Sequence, residues 1–222
     1  MNLCARELGY QALNEKIRST NDDVTIDDCY GERFIGCGAK SRIITINGTP
    51  GNAMGAYLDG ATIIVNGNAQ DAVGDTMNDG KIIIYGNTGD ALGYAMRGGK
   101  IFVKGCAGYR TGIHMKEYQD KKPIIVVGGS AGSFLGEYLA GGLIIVLGLD
   151  NDNFPAGYFT GAGMHGGEIF IRSSKPPKNL PKQVSVSIAD ESDKSRIKDI
   201  LVEFSNLFGT PMDEIMRKTF YN

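Results

Sequence analysis

The chain has 222 residues, a formal net charge of −2, 42% hydrophobic residues and 32 glycines. This length and composition predict a soluble protein with one main domain, a sizeable core and appendages. The near-neutral charge gives no electrostatic basis for binding nucleic acid or an anionic membrane. No apolar run approaches the roughly 18 residues of a membrane span, and charged residues interrupt the N-terminal apolar stretches. We therefore expect a cytoplasmic protein without a signal peptide.

The N-terminal region predicts a helix and then a strand. Helical spacing of apolar residues, from Leu8 to Ile17, predicts a helix over residues 5–18. The stretch Val24 to Ile26 has strand composition and stands one repeat length before the first regular strand. It therefore predicts an atypical capping coil.

A repeat of about 19 residues fills the middle of the chain. Insertions of five residues around 116–121 and six residues within 149–159 lengthen two of its intervals. With the first insertion set aside, isoleucine stands eight residues after each repeat glycine, and isoleucine or valine stands ten residues after it. The repeat glycines are Gly36, Gly55, Gly74, Gly93, Gly112, Gly136 and Gly161. A period this short predicts a solenoid of stacked coils.

The repeat predicts an all-β fold, a right-handed parallel β-helix of seven to eight coils with N- and C-terminal α-helices. β-branched residues at alternate positions and glycine-rich turns favour strands over helical repeats. Further apolar columns lie three residues after the glycines and one residue before them. Their members include Leu58, Met77, Met96, Met115, Leu139 and Met164, then Ile35, Met54, Val73, Leu92 and Leu135. Columns at several points around one coil indicate a closed, filled cross-section.

The repeat glycines have two possible interpretations. Tight corners between stacked coils need positive φ or close backbone approach, which glycine supplies. Glycine-rich runs such as 105–108 also resemble phosphate-binding loops. Those loops open an α-helix, however, whereas here the chain returns to another strand. We therefore interpret the glycines as structural.

After the repeats the pattern changes. Residues 173–177 predict a linker, residues 184–188 a strand, and residues 192–208 a helix closed by Gly209, followed by a second helix from Thr210. The predicted organisation is an N-terminal helical segment (1–23), a β-helix domain (24–172) and a C-terminal segment of linker, short strand and helices (173–222).

One column of the repeat requires a cover. The residue nine positions after each glycine points away from the coil interior, yet nearly all members are apolar: Thr45, Ile64, Ile83, Phe102, Val126, Ile145 and Phe170. An exposed apolar strip of this length is unusual in a monomer. We favour cover by the chain's own C-terminal helices, with a partner subunit as the alternative.

No catalytic, cofactor-binding or metal-binding residue is expected in this chain. The four cysteines lack metal spacing; Cys29 and Cys37 could approach each other, but reduced thiols are favoured. The two histidines, His114 and His165, have no apparent third ligand. Asp71, Asp90 and Glu137 are interpreted as turn or surface groups.

The first insertion is the candidate partner-docking site, with a solvated loop as the alternative. Insertions in a solenoid map to one face, which often binds partners. The candidate residues are Arg110, His114, Lys116, Glu117 and Tyr118.

The segment from Gly51 to Arg172 resembles the glycine-rich C-terminal (GXGXG) domain of the glutamate synthase large subunit, above all its stand-alone versions. GNAQDAVG at 67–74, RGGK at 97–100, GYRTGIHMKEY at 108–118 and EYLAGG at 137–142 carry the resemblance. More distantly, the chain is similar to one of the subunits of formylmethanofuran dehydrogenase.

The glutamate synthase resemblance implies a non-catalytic structural subunit that braces glutaminase and FMN-dependent synthase partners for ammonia transfer in glutamate biosynthesis. FMN and iron–sulfur clusters are then expected only in the partners, and Cys4, behind three residues, does not match the family's N-terminal nucleophile. A homo-oligomer is possible. An assembly subunit of a formylmethanofuran dehydrogenase-like complex, an independent binding scaffold, and an independent enzyme with a site between solenoid and helices are the alternatives.

Overall fold

The computed structural model describes residues 1–150, 152–178 and 180–222. Asn151, in the second insertion, and Asn179, just after the predicted linker, lie outside the described residues. The elements are β1 (Asn2–Cys4), α1 (Ala5–Arg18), β2 (Val24–Tyr30), β3 (Ile43–Thr49), β4 (Asp59–Asn66), β5 (Asp79–Ile84), β6 (Lys100–Val103), β7 (Ile124–Val127), β8 (Ala140–Val146), β9 (Gly166–Ser173), α2 (Glu191–Phe208), α3 (Met212–Met216) and β10 (Thr219–Tyr221).

The strands confirm the predicted solenoid. Within the described residues, ten strands form one sheet in the order of the sequence. Strands β1 to β9 pair in parallel, and β10 runs antiparallel to β9. Equivalent residues of successive coils are register partners, as in the pairs Ile63–Ile82 and Ile82–Ile101. The fold is a single parallel β-solenoid of about eight turns with short terminal helices.

Side chains from successive coils stack inside the solenoid into one core. The inward strand residues of β3 to β8, such as Ile44, Ile63 and Val103, are fully buried. The columns flanking the repeat glycines join them, for example Met54 and Met77. The sequence therefore predicted the interior of this core correctly, because each inward column repeats with the coil period.

A second core lies on the outer face of the sheet and confirms the expected cover. Phe102, Val126, Ile145 and Phe170 are fully buried there, together with residues of α2 and α3. The helix residues are Ile197, Leu201, Phe204, Phe208 and Ile215. The chain's own helices therefore cover the apolar strip from β5 to β9.

Helix α2 begins and ends as the sequence predicts. Asp190 accepts a hydrogen bond from the Asp193 amide, and the Asp193 carboxylate accepts one from the Asp190 amide, which forms a capping box. Gly209 ends the helix in the left-handed conformation, with φ of 69°. The five-residue α3 follows after Pro211.

Two charged contacts fasten the helices to the solenoid. Glu203 of α2 forms ion pairs with Lys81 of β5 and Lys100 of β6. The buried Arg172 guanidinium donates to the carbonyl oxygens of Leu147 and Ile215 at 2.8 and 2.7 Å, and to that of Glu214 at 2.8 Å. Arg172 thereby satisfies carbonyls at the end of α3 that the short helix leaves unpaired.

The structure corrects the sequence interpretation at both ends. Helix α1 contains a break at Gly9, whose φ of 65° and ψ of 169° are not helical. The strand predicted at residues 184–188 is wrong: only Ile188 forms a bridge, and it pairs with Tyr221. The strand that extends the sheet is β10, which sequence analysis missed because a three-residue strand has no visible period.

Candidate partner-docking site

A second ladder of hydrogen bonds joins the coils outside the β-sheet, and we call it the glycine ladder. It consists of each repeat glycine with the residues two before and two after it, most of which have positive φ. In one coil the amides of Ala53 and Tyr57 donate to the next coil, and the amide of Gly55 donates to the previous coil. Because these amides are already paired, they are not free to cradle a phosphate.

The repeat glycines face the core and leave no room for a side chain. A Cβ atom on Gly93 would lie 2.5 Å from Cδ1 of Ile125, and one on Gly112 would lie 2.4 Å from Cδ1 of Ile144. The ladder therefore lies across the core from the strand that carries these isoleucines. Positive φ and this close approach together explain the glycine repeat.

The ladder places two of the five candidate docking residues side by side. Arg110 and His114 lie two residues before and two residues after Gly112, and both contact Glu137 of the next coil. The Arg110 Nε atom lies 3.2 Å from the Glu137 Oε2 atom. The His114 amide donates to the Glu137 carbonyl oxygen at 2.9 Å.

The other three candidates lie on the insertion loop. The Glu117 Oε1 atom accepts a hydrogen bond from the Gly142 amide at 3.0 Å. Tyr118 bridges to Lys121 within the loop and stays exposed, as does Lys116. The five residues therefore form two groups, one on the ladder and one on the loop, and Glu117 helps to hold the loop against the solenoid.

The structure also brings aromatic residues to Arg110 and His114 that sequence analysis did not single out. The Tyr138 ring stacks on His114 at a centroid distance of 5.0 Å, and the Tyr94 ring meets His114 edge-on at 6.0 Å. The Arg110 guanidinium lies over the Phe134 ring, 5.2 Å from its centroid. Large aromatic residues beside the repeat glycines were the available sequence signal.

The carboxylates near this surface hold the coils together. The Asp71 Oδ1 atom accepts from the Asp90 amide at 2.9 Å, and the Asp90 Oδ1 atom accepts from the Tyr109 amide at 2.8 Å. Each side chain thereby caps a backbone group of the following coil. These contacts give Asp71 and Asp90 structural roles, in agreement with their interpretation as turn groups.

The cysteines are not arranged as nucleophiles. All four are free thiols. Burial, together with a hydrogen bond and charge repulsion from Glu32, raises the pKa of Cys29 to about 12. Burial also raises the pKa of Cys37 and of Cys106, and the Asp150 carboxylate adds to the effect at Cys106. A thiolate nucleophile needs the opposite shift.

The structure offers no catalytic pocket where the enzyme alternative would need one. Between the sheet and the helices the described residues pack as the second core. A cavity of about 300 Å³ lies instead at the C-terminal end of the solenoid, lined by residues such as Met164, Ile169 and Val184. No group of three or more histidine, cysteine or acidic residues within the described part of the chain is placed to hold a metal ion.

No helix within the described ranges is both long enough and apolar enough to cross a membrane.

The fold and the ladder define a glycine-rich β-solenoid domain whose repeat serves stacking. The sequence profile described as the GXGXG motif matches residues 13–221. A protein of Methanocaldococcus jannaschii, itself uncharacterized, is 45% identical over 221 residues, which cover 94% of this chain and 85% of the relative. The chain belongs to the GXGXG family, which confirms its resemblance to the C-terminal domain of glutamate synthase.

Proposed function

We propose that this chain is a non-catalytic structural subunit of a glutamate synthase-type complex in the cytoplasm. It holds a glutaminase subunit and an FMN-dependent synthase subunit in register, so that ammonia passes between them without escaping to water. FMN and iron–sulfur clusters reside in the partners. The observation that carries this proposal is the family match over residues 13–221, which takes in all the coils and the C-terminal helices.

The geometry supports a bracing role. The repeat glycines, Asp71 and Asp90 are engaged in stacking the coils, and the helices fill the outer face of the sheet. In a solenoid of this kind each coil is bonded to both of its neighbours, so the stack resists bending along its length. Such a body can set a fixed distance between two bound subunits.

Reconstitution tests the proposal. The purified chain alone is expected to show no glutaminase, flavin-dependent or 2-oxoglutarate-dependent turnover. Added to purified glutaminase and synthase subunits of the same organism, it should raise glutamine-dependent glutamate formation and lower the ammonia released to solution, while ammonia-dependent synthesis stays unchanged.

Three results would contradict the proposal. Robust turnover by the lone chain would make it an enzyme. Co-purification with molybdopterin or tungsten subunits from native extract would favour a formylmethanofuran dehydrogenase-like assembly. Unchanged ammonia release in the reconstituted mixture would remove the bracing role.

A further inference from the structure

We propose that an exposed aromatic surface on the glycine ladder is the docking site for a partner subunit that presents carboxylates around an apolar centre. The surface consists of two rows, Tyr94–His114–Tyr138 and Arg110–Phe134–Phe159. This inference rests on the proposed function and adds to it the place of contact and the chemistry of the partner.

The two rows are ordered by contacts between coils. In the first, His114 lies between Tyr94 and Tyr138, at centroid distances of 6.0 and 5.0 Å. In the second, the Phe134 and Phe159 rings stack at 5.0 Å, and Arg110 lies over Phe134. Glu137 lies between Phe134 and Tyr138 in the sequence and pairs with Arg110, so it joins the rows. The surface is therefore fixed in place before any partner arrives.

The fold does not require large side chains at these positions. In other coils the same ladder positions carry Ala53, Ala72, Ala91 and Ala95, all with positive φ like the aromatic residues. Tyr138 and Phe159 nevertheless remain 48% and 54% exposed. Exposed rings held in a left-handed backbone gain little from the fold itself. Aromatic and arginine side chains in such an array are typical of the centre of a protein interface.

The charges beside the rows indicate an acidic partner. Arg97 and Lys116 lie four residues after the repeat glycines of two of these coils, are exposed, and form no ion pair with a described residue. The nearby carboxylates are already engaged: Glu137 by Arg110, and Asp90 by the Tyr109 amide. Two unpaired cations beside an aromatic centre complement a surface whose rim carries carboxylates.

Binding measurements with purified glutaminase and synthase subunits test this surface. The double variant Tyr138→Ala/Phe159→Ala should weaken binding of at least one subunit about tenfold or more, because truncation of central aromatic anchors typically has that effect. The variant Arg97→Glu/Lys116→Glu should weaken the same complex at low salt, and the difference should narrow as salt screens the charges. Alanine is native at equivalent ladder positions, so the first variant should keep the wild-type urea midpoint.

The chain supplies a matched control. Tyr57 occupies the Tyr138 position in the coil of Gly55, is 55% exposed, and lies outside the two rows. Tyr57→Ala should bind as the wild type does, and equal losses in Tyr57→Ala and the double variant would overturn the assignment of the surface.

Failure of this inference differs from failure of the proposed function. If the wild-type chain binds the subunits and both double variants bind equally well, the surface is wrong and the proposed function stands. If neither subunit binds the wild type, the proposed function fails and the named partner fails with it. Self-association measured by light scattering and abolished by Tyr138→Ala/Phe159→Ala would make a second copy the occupant and would overturn the acidic partner.

Discussion

Replacing Gly93 with alanine tests whether core packing, beyond positive φ, demands the repeat glycine. The new Cβ would meet Cδ1 of Ile125 at 2.5 Å, and Ile125 is fully buried, so it has no open space into which to move. Overpacking of this kind costs about 1–3 kcal/mol. The left-handed conformation costs alanine a further 1–2 kcal/mol or so, partly offset by about 0.4–1 kcal/mol from the reduced entropy of the unfolded chain. We expect a net loss of about 1–4 kcal/mol.

Gly38→Ala separates the two costs. Gly38 has a φ of 65°, close to the 66° of Gly93, but nothing lies within 4 Å of its added Cβ. Urea denaturation followed by circular dichroism should therefore place Gly93→Ala about 1–3 kcal/mol below Gly38→Ala, the packing contribution alone. Ile125→Val removes the clashing Cδ1 atom and should cost less in the Gly93→Ala background than in the wild type. Equal losses in the two glycine variants, with an unchanged urea dependence, would refute the packing argument.

Two further predictions concern the contacts that fasten the helices. Burial opposes ionisation of Glu203, but hydrogen bonds from Lys100 and Lys81 outweigh it and lower its pKa. Glu203→Gln should therefore lose about 1 kcal/mol at pH 7, measured by urea denaturation. Since a lowered folded-state pKa stabilises above the unfolded value of about 4.3, the two midpoints should converge as the pH falls through the folded-state pKa; a gap independent of pH would contradict the ion pairs. Arg172→Ala should lose about 2–4 kcal/mol because three carbonyls lose their donor, and Arg172→Lys should not restore it, since one ammonium cannot reproduce the planar fork. A lysine variant with the wild-type melting curve would show that charge alone suffices.

The inward columns and the glycine positions were predictable because they depend on contacts between neighbouring coils. Ile63 meets Ile44 and Ile82 in the adjacent coils, and the coil period places these contacts at a fixed sequence distance. The apolar row from Ile83 to Phe170 was predictable as a strip that needs cover. Which helix residues cover it was not, because the partners of Phe102, such as Phe204, stand about a hundred residues away with no period linking them.

The candidate site was predictable in part. Arg110 and His114 were found because they stand beside an insertion. The insertion itself is partly engaged with the solenoid, since Glu117 caps the Gly142 amide. Phe134 and Tyr138 were missed because the insertion shifts their sequence distance from Arg110 and His114 away from the regular period, although the structure stacks them directly.

The sequence by itself determined the solenoid, its coil length, its inward columns and its terminal helices, because local backbone conformation and nearest-neighbour stacking repeat along the chain. Only the tertiary structure decided which surface the helices bury, that residues 184–188 form no strand while β10 extends the sheet, and which aromatic residues meet on the glycine ladder. These features depend on contacts between segments whose sequence separation follows no period, so no pattern in the chain encodes them.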